Sequence, residues 1–212
     1  MGMSRKVLEK KNAKEDEGAR LLYFALPPPH GINGVERARL VDVDECGVWL
    51  ATCRRKYGHV DIGKKAATNA PYNVGKKFTV ILAIDVGGVV CYTLSDSPGT
   101  TTLIFFNFIN HVLLPSIEGT HPDGRVIVWD NLRAHFNQAV LQLIRNEGHV
   151  IVPRPKFSCD LGSIEFGFSV IKTNLRSHWY DVDEDNLPDY VEAAICSLTG
   201  DQCEGFFRHT GH

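Results

Sequence analysis

The sequence predicts an α/β domain: one mixed β-sheet with helices packed on its faces. Three observations carry this reading. Short apolar or alternating runs at 39–45 and 125–129 have the pattern of strands, and Gly87-Gly88 sits between two such runs as a hairpin turn. Between and after the strands, apolar residues recur at helical spacing over 101–113, 134–147 and from Ser163 onward. The 212 residues suit a single domain.

Taken in order, residues 1–24 read as a charged amphipathic helix or a mobile arm, closed by Pro27-Pro28-Pro29. Arg39 to Glu45 alternates, with Leu40, Asp42 and Asp44 on one face and Val41, Val43 and Glu45 on the other. A turn at Cys46-Gly47 and a second strand over 47–55 are expected next. Gly58 to Lys77, rich in Gly, Lys and Asn, reads as a long loop. Phe78–Val86 and Val89–Leu94 form the hairpin. A helix over about 101–113 presents Ile104, Phe105, Phe108, Ile109 and Val112, with Pro115 as its stop. Arg125–Trp129 is a buried strand ending at Asp130-Asn131. A helix over 134–147 buries Phe136, Ala139, Val140, Leu143 and Ile144, and His149–Val152 is a strand ending at Pro153. Ser163 is placed to cap the last core helix, whose buried side is Ile164, Phe168, Ile171 and Leu175. From Asp181 a small helical appendage is centred on Tyr190 to Ser197. The predicted division is an N-terminal arm at 1–35, a core domain at 36–180 and the appendage at 181–212. The strand and helix order implies antiparallel pairing at the hairpins and parallel pairing across helices.

Composition excludes some classes of function. Hydrophobic residues make up 43% and charged residues 23%, an ordinary globular mixture. No apolar run approaches the ~20 residues that span a bilayer, so no membrane partner is expected. The charged N-terminus lacks a secretory h-region. The six cysteines, at 46, 53, 91, 159, 196 and 203, include no CxxC pair and read as reduced thiols of an intracellular protein, nuclear if the source is eukaryotic. The net charge of −2 does not by itself propose DNA; any attraction would come from Arg54-Arg55-Lys56, Lys64-Lys65 and Lys76-Lys77.

Three acids stand where a carboxylate is costly without compensation. Asp44 lies near the end of an apolar strand, Asp130 terminates the most hydrophobic one, and Glu165 begins a helix beside its buried stripe. Carboxylates that converge at strand ends repel one another, and a divalent cation relieves the repulsion. Each acid also has a plain structural reading: Asp130-Asn131 suits a turn or cap, and Glu165 complements a helix dipole. Asp42 shares a face with Asp44, and periodicity does not choose between them. Asp85 before Gly87-Gly88 is read as a turn residue.

Taken together, the segments from about residue 35 to the C-terminus resemble the catalytic domain of mariner-type transposases and their insertion-sequence relatives, the DDE superfamily endonucleases. Leu40-Val-Asp-Val-Asp44-Glu45-Cys46-Gly47 is similar to the family's first-strand motif, and this resemblance selects Asp44. Arg55-Lys56-Tyr57-Gly58 and Gly63-Lys64-Lys65 resemble the basic strand and loop that follow. Val128-Trp129-Asp130-Asn131-Leu132-Arg133-Ala134-His135 resembles the second motif. Pro155 to Glu165 resembles the third, thirty-four residues separating Asp130 from Glu165, and Gly205 to His212 is similar to the family's tail. The resemblance implies an RNase H-like fold and two Mg²⁺ or Mn²⁺ ions held by Asp44, Asp130 and Glu165. It implies DNA as partner, strand cleavage with 3′-OH transfer to target DNA, and a homodimer. Asn131 and His135 would support the ligands or position DNA, with a capping role for Asn131 equally open. Lys172 and Arg176, seven and eleven residues beyond Glu165, would reach phosphates or form a solvated stripe.

The third motif departs from the family's Pro-Asp-Leu-Asn-Pro-Ile-Glu: Cys159, Gly162 and Ser163 replace Pro, Asn and Pro. A looser loop before Glu165 is the expected result. The family also carries a helix-turn-helix region, for which the first 35 residues are too short. A truncated or domesticated, inactive transposase-derived protein that binds DNA or another protein is therefore the alternative reading. A zinc site from Cys196, Cys203 and His209 matches no common spacing.

Overall fold

The computed structural model describes residues 14–54, 60–65, 67 and 75–212. Its centre is a five-stranded sheet in the order β3-β2-β1-β4-β5. β1 (Leu40–Val48) pairs antiparallel with β2 (Phe78–Asp85), which pairs antiparallel with β3 (Gly88–Ser95). On its other side β1 runs parallel to β4 (Val126–Trp129), and β4 parallel to β5 (Val150–Pro153). The mixed sheet is as the sequence predicts.

Helices cover both faces. One face carries α6 (Ser163–Ser177), α7 (Leu187–Cys196) and α8 (Gly200–His209), whose Ile164, Phe168, Ile171, Val191, Ile195 and Phe207 pack on Leu40, Val80, Leu82 and Val128. The other carries α3 (Thr102–Phe108), a π-helical stretch at Ile109–Leu113, α4 (Leu114–Ile117) and α5 (Gln138–Asn146), whose Phe105, Ile109 and Ile144 pack on Val41, Val43, Ile81 and Trp129. The period-2 alternation of β1 thus feeds two separate cores. The C-terminal appendage is two helices that complete the α6 layer. α1 (Glu17–Ala25) sinks Tyr23 into the same layer, and a bidentate Arg20–Asp160 pair at 2.8 and 2.6 Å ties it to the loop before α6. The expected helix forms in the second half of the first 24 residues; residues 1–13 lie outside the described set.

Several local expectations are corrected. Cys46-Gly47 is not a turn: β1 continues to Val48, with Cys46 opposite Val80 and Gly47 opposite Thr79. Gly47 instead permits a close approach, since a Cβ there would lie 2.4 Å from the Lys77 side chain. The strand expected over 47–55 is replaced by a short helix, α2 (Leu50–Cys53). Pro115 does not stop its helix: a π-helical stretch at Ile109–Leu113 leads into α4, widening the turn that must accept the proline ring. The helix expected from 134 begins at Gln138, capped by Asn137, and a 3₁₀ turn at Arg133–Phe136 leaves Phe136 partly exposed. Ser163 is the first residue of α6, not its cap, and its hydroxyl meets Thr210 Oγ1 at 2.8 Å. All six cysteines are free, as expected, and Asp85 shapes its turn by accepting from Gly87 N–H at 2.8 Å.

Phe168 joins α6 to the sheet from a position 2% exposed. Phe168→Ala is expected to lower stability by about 3–5 kcal/mol, read as a fall in the urea midpoint with an unchanged slope.

Candidate active site

The parallel register aligns Leu40 with Val126 and Asp42 with Val128. Carried two residues further, the same offset sets Asp44, in the middle of β1, beside Asp130, just past the end of β4. The sequence expectation that Asp44 lies near the end of its strand is corrected, because β1 continues to Val48. Parity along both strands points the two carboxyls to the α6 side.

Asp44 is held on both oxygens. Oδ1 accepts from Glu45 N–H at 2.8 Å, and Oδ2 accepts from Arg154 Nη2 at 2.7 Å. Burial pushes its pKa up to about 7; Arg154 opposes the rise, and the charge on Asp130 adds to it. Asp130 is more open, with 48% side-chain exposure. Its Oδ1 accepts from Leu132 N–H at 2.9 Å and from His135 Nδ1 at 3.0 Å. Burial pulls its pKa upward, but the bonds from His135 and Leu132 outweigh that and hold it below the usual carboxylate range.

The tie between Asp42 and Asp44 is resolved by environment. Asp42 is completely buried: Oδ1 accepts from Arg154 Nη1 at 2.5 Å and Oδ2 from Ile164 N–H at 3.1 Å. It therefore caps α6 from a neighbouring strand, the role expected of Ser163. Arg154, just beyond β5, is the residue that sequence reasoning missed. Its backbone is pinned at both ends, N–H to Trp129 O at 2.8 Å and C=O from Asn131 Nδ2 at 2.6 Å. Asn131 is thus a positioning residue for Arg154. Burial disfavours the Arg154 cation, yet Asp42 and Asp44 more than compensate and raise its pKa, so it stays charged. The available signals were a basic residue directly after a buried strand and a glycine in the third motif. A Cβ on Gly162 would lie 2.7 Å from Arg154 Nη1.

His135 is fully buried against the ring of Phe105, centroids 4.2 Å apart, and cannot touch DNA directly. Nδ1 faces Asp130 and Nε2 faces Glu45 Oε1 at 2.9 Å, so both nitrogens donate and the ring is an imidazolium. Burial alone would lower its pKa; the bonds and charges of Asp130 and Glu45 raise it to about 9.

Glu165 is exposed on the first turn of α6. Burial raises the Cys46 thiol to about 11, with Lys172 opposing and Asp44 and Glu165 adding to the shift. Arg176 lies further along, within reach of the Cys53 thiol. Asp44 and Asp130 thus converge, while Glu165 and Lys172, on α6, share with Asp44 an influence on the Cys46 thiol. Among the described residues, no three His, Cys, Asp or Glu side chains form a ready metal cage, a zinc set at Cys196, Cys203 and His209 included. The donor chemistry of the aspartate pair nonetheless fits a divalent cation: two oxygen ligands repel each other at a partly open strand end.

The loop before Glu165 is closely held. Leu161 N–H donates to Ser158 O at 3.1 Å and Gly162 N–H to Cys159 O at 2.8 Å. Ser163, unlike proline, has a backbone N–H, which helps to hold Asp42. The expected loosening is offset by these bonds. Of the expected basic surface, Arg55–Gly58 lie outside the described residues. Lys64 pairs with Asp61 at 2.6 Å and Lys76 with Asp96 at 2.9 Å.

A folded-state pKa above the ordinary value makes His135 stabilising at pH below about 6.5, with the contribution lost as pH rises through about 9. The melting-temperature advantage of the wild type over His135→Gln is therefore expected to be full near about pH 6 and to vanish near about pH 10.

A family model described as DDE superfamily endonuclease matches residues 39–187. No curated protein sequence matches the chain. Among solved structures, the pre-cleavage Mos1 transpososome is 18% identical over all of this chain and 64% of its own, with a TM-score of 0.74. The Mos1 mariner paired-end complex with Mn gives the same identity, coverage and TM-score. The Mos1 transposase catalytic domain with raltegravir and Mg is 14% identical, over 96% of this chain and 91% of that one, at a TM-score of 0.64. The chain thus spans just under two thirds of the Mos1 chains in those DNA-end assemblies, and the shared fold is RNase H-like. By its family match, this chain belongs to the DDE superfamily endonucleases.

Proposed function

We propose that the chain is a transposase-type endonuclease core that cleaves DNA strands and transfers the resulting 3′-OH, using Mg²⁺ or Mn²⁺ held by Asp44, Asp130 and Glu165. The observation that carries this is the meeting of Asp44, in the middle of β1, with Asp130, just past the end of β4, close enough for the charge on Asp130 to act on Asp44. Support for DNA comes from the Mos1 assemblies, which include a paired-end complex with the left transposon end and a strand transfer complex. Support for the metal comes from the Mos1 structures with Mg and with Mn. When bound, a pair of such ions favours attack of an oxygen at phosphorus and stabilises the departing oxygen. In cleavage, the oxygen of water bonds to phosphorus as the bond to the 3′-oxygen breaks, that oxygen leaving as a 3′-hydroxyl. In transfer, that 3′-hydroxyl oxygen bonds to a phosphorus of the target strand as the target's own bond from phosphorus to its 3′-oxygen breaks, the hydroxyl proton passing to solvent.

The chain's own residues set the stage for this. His135 locks Asp130 in its rotamer and keeps it ionised from beneath. Asp42 fixes the start of α6 and so the reach of Glu165. Lys172, beside the acids on α6, supplies positive charge for a phosphate. The working unit is residues 36–180, with 181–212 completing its core.

A second reading, a non-catalytic member kept for binding DNA or protein, is favoured by the Arg154 contact with Asp44. A supercoiled-plasmid nicking assay separates the two. Metal-dependent nicking by the wild type, lost in folded Asp44→Asn and Asp130→Ala, is expected; no nicking by folded wild type with either ion supports the second reading.

A further inference from the structure

We propose that Arg154 is a resident counter-cation of the acidic site, one that a divalent ion must displace from Asp44 before the site is loaded. The inference rests on the metal reading of Asp44 and Asp130 above. It makes Arg154 a positioning residue that sets metal affinity, a role outside the three-acid pattern.

Four features support it. The guanidinium bridges Asp42 and Asp44 with one nitrogen on each, at 2.5 and 2.7 Å, and so neutralises the acid best placed to share an ion with Asp130. The charge on Asp130 also acts on Arg154, although the bonds of the guanidinium are to Asp42 and Asp44. Its backbone is anchored to the end of β4 through Trp129 O and Asn131, so the side chain is directed inward by construction. The third motif is also shaped around it: Gly162 leaves the volume that Nη1 fills, and the Ser163 and Ile164 backbone N–H groups help to hold Asp42. A side chain at 162 and a proline at 163 would remove the room and one of the donors.

The geometry also indicates how the contact opens. Asp42 is fully enclosed, whereas Asp44 keeps 13% of its side chain exposed. The Asp44 contact is therefore the one that yields to an incoming cation, while Asp42 retains the guanidinium. Arginine suits this because its planar fork spans two carboxylates, which a lysine ammonium does as a single point charge.

The test is a Mn²⁺ titration of the full chain by electron paramagnetic resonance, with folding checked by circular dichroism. Three variants disturb the Arg154 fork differently. Gly162→Ala crowds Nη1, the nitrogen on Asp42, and so displaces the rigid guanidinium that also carries Nη2 to Asp44, without changing any charge. Arg154→Lys keeps the charge but loses the fork, and Asp42→Asn with Arg154→Gln removes the buried pair together. Mn²⁺ binding is expected to tighten roughly tenfold in Gly162→Ala and in the double variant, the scale on which groups touching a ligand tune metal affinity. Arg154→Lys should fall between these and the wild type. Mg²⁺ is expected to shift the Arg154 guanidinium ¹⁵N resonance of the wild type and leave that of Arg20 in place. If binding is lost in Asp130→Ala yet is unchanged or weaker in the folded Arg154-site variants, or if the resonance does not move at saturating Mg²⁺, the gate is overturned and the metal site stands. If no chain binds Mn²⁺, the metal reading falls and the gate with it.

Discussion

The buried guanidinium of Arg154 is the contact on which the site depends. It joins three parts of the chain: β1 through Asp42 and Asp44, the end of β4 through its own backbone, and the loop into α6 through Gly162. Asp42 has no exposure and would be a severe liability unpaired. Breaking such a pair from one side costs about 3–5 kcal/mol, because the remaining charge is left uncompensated. The strands and the α6 N-terminus are therefore locked into one relative placement by electrostatics as much as by packing.

A second cation repeats the logic on the opposite side. His135 lies under Phe105 and beside Trp129, and it answers Asp130 with one nitrogen and Glu45 with the other. Four acids, three within β1 and one just past β4, are thus served by two buried cations. The result is uneven. Asp130 is held below the usual carboxylate range while Asp44 rises to about 7, although both are family-motif aspartates. A site that meets its own negative charge internally needs less from an added ion, and under the proposed function that would tie metal affinity to the same buried cations.

Much of the architecture was legible in the sequence, because period 2 and period 3.6 are imposed by backbone geometry whatever the neighbours are. The hairpin, the apolar β4, and the Ile164, Phe168, Ile171 and Leu175 stripe all follow from it. The misreadings came where a residue has two uses. Gly47 has the composition of a turn but serves a close approach, and Pro115 has the signature of a stop but follows a π turn. Ser163 has the chemistry of a cap, while an acid from another strand does the capping. At Gly47 and Ser163 a tertiary neighbour outcompeted the local preference; at Pro115 a wider helical turn accommodated the ring.

For the site, the sequence by itself determined the acids and the motif spacing, since residue identity and order are all that those require. It could not rank Asp42 against Asp44 by pattern, because both lie on one face of one strand. Only the tertiary structure decided that Asp42 is a buried helix cap, that His135 faces inward between two carboxylates, and that Arg154 stands among the aspartates. Each of those outcomes depends on distances between residues about 90 to 120 positions apart in the chain. Long-range electrostatics of that kind leaves no periodic trace in the sequence.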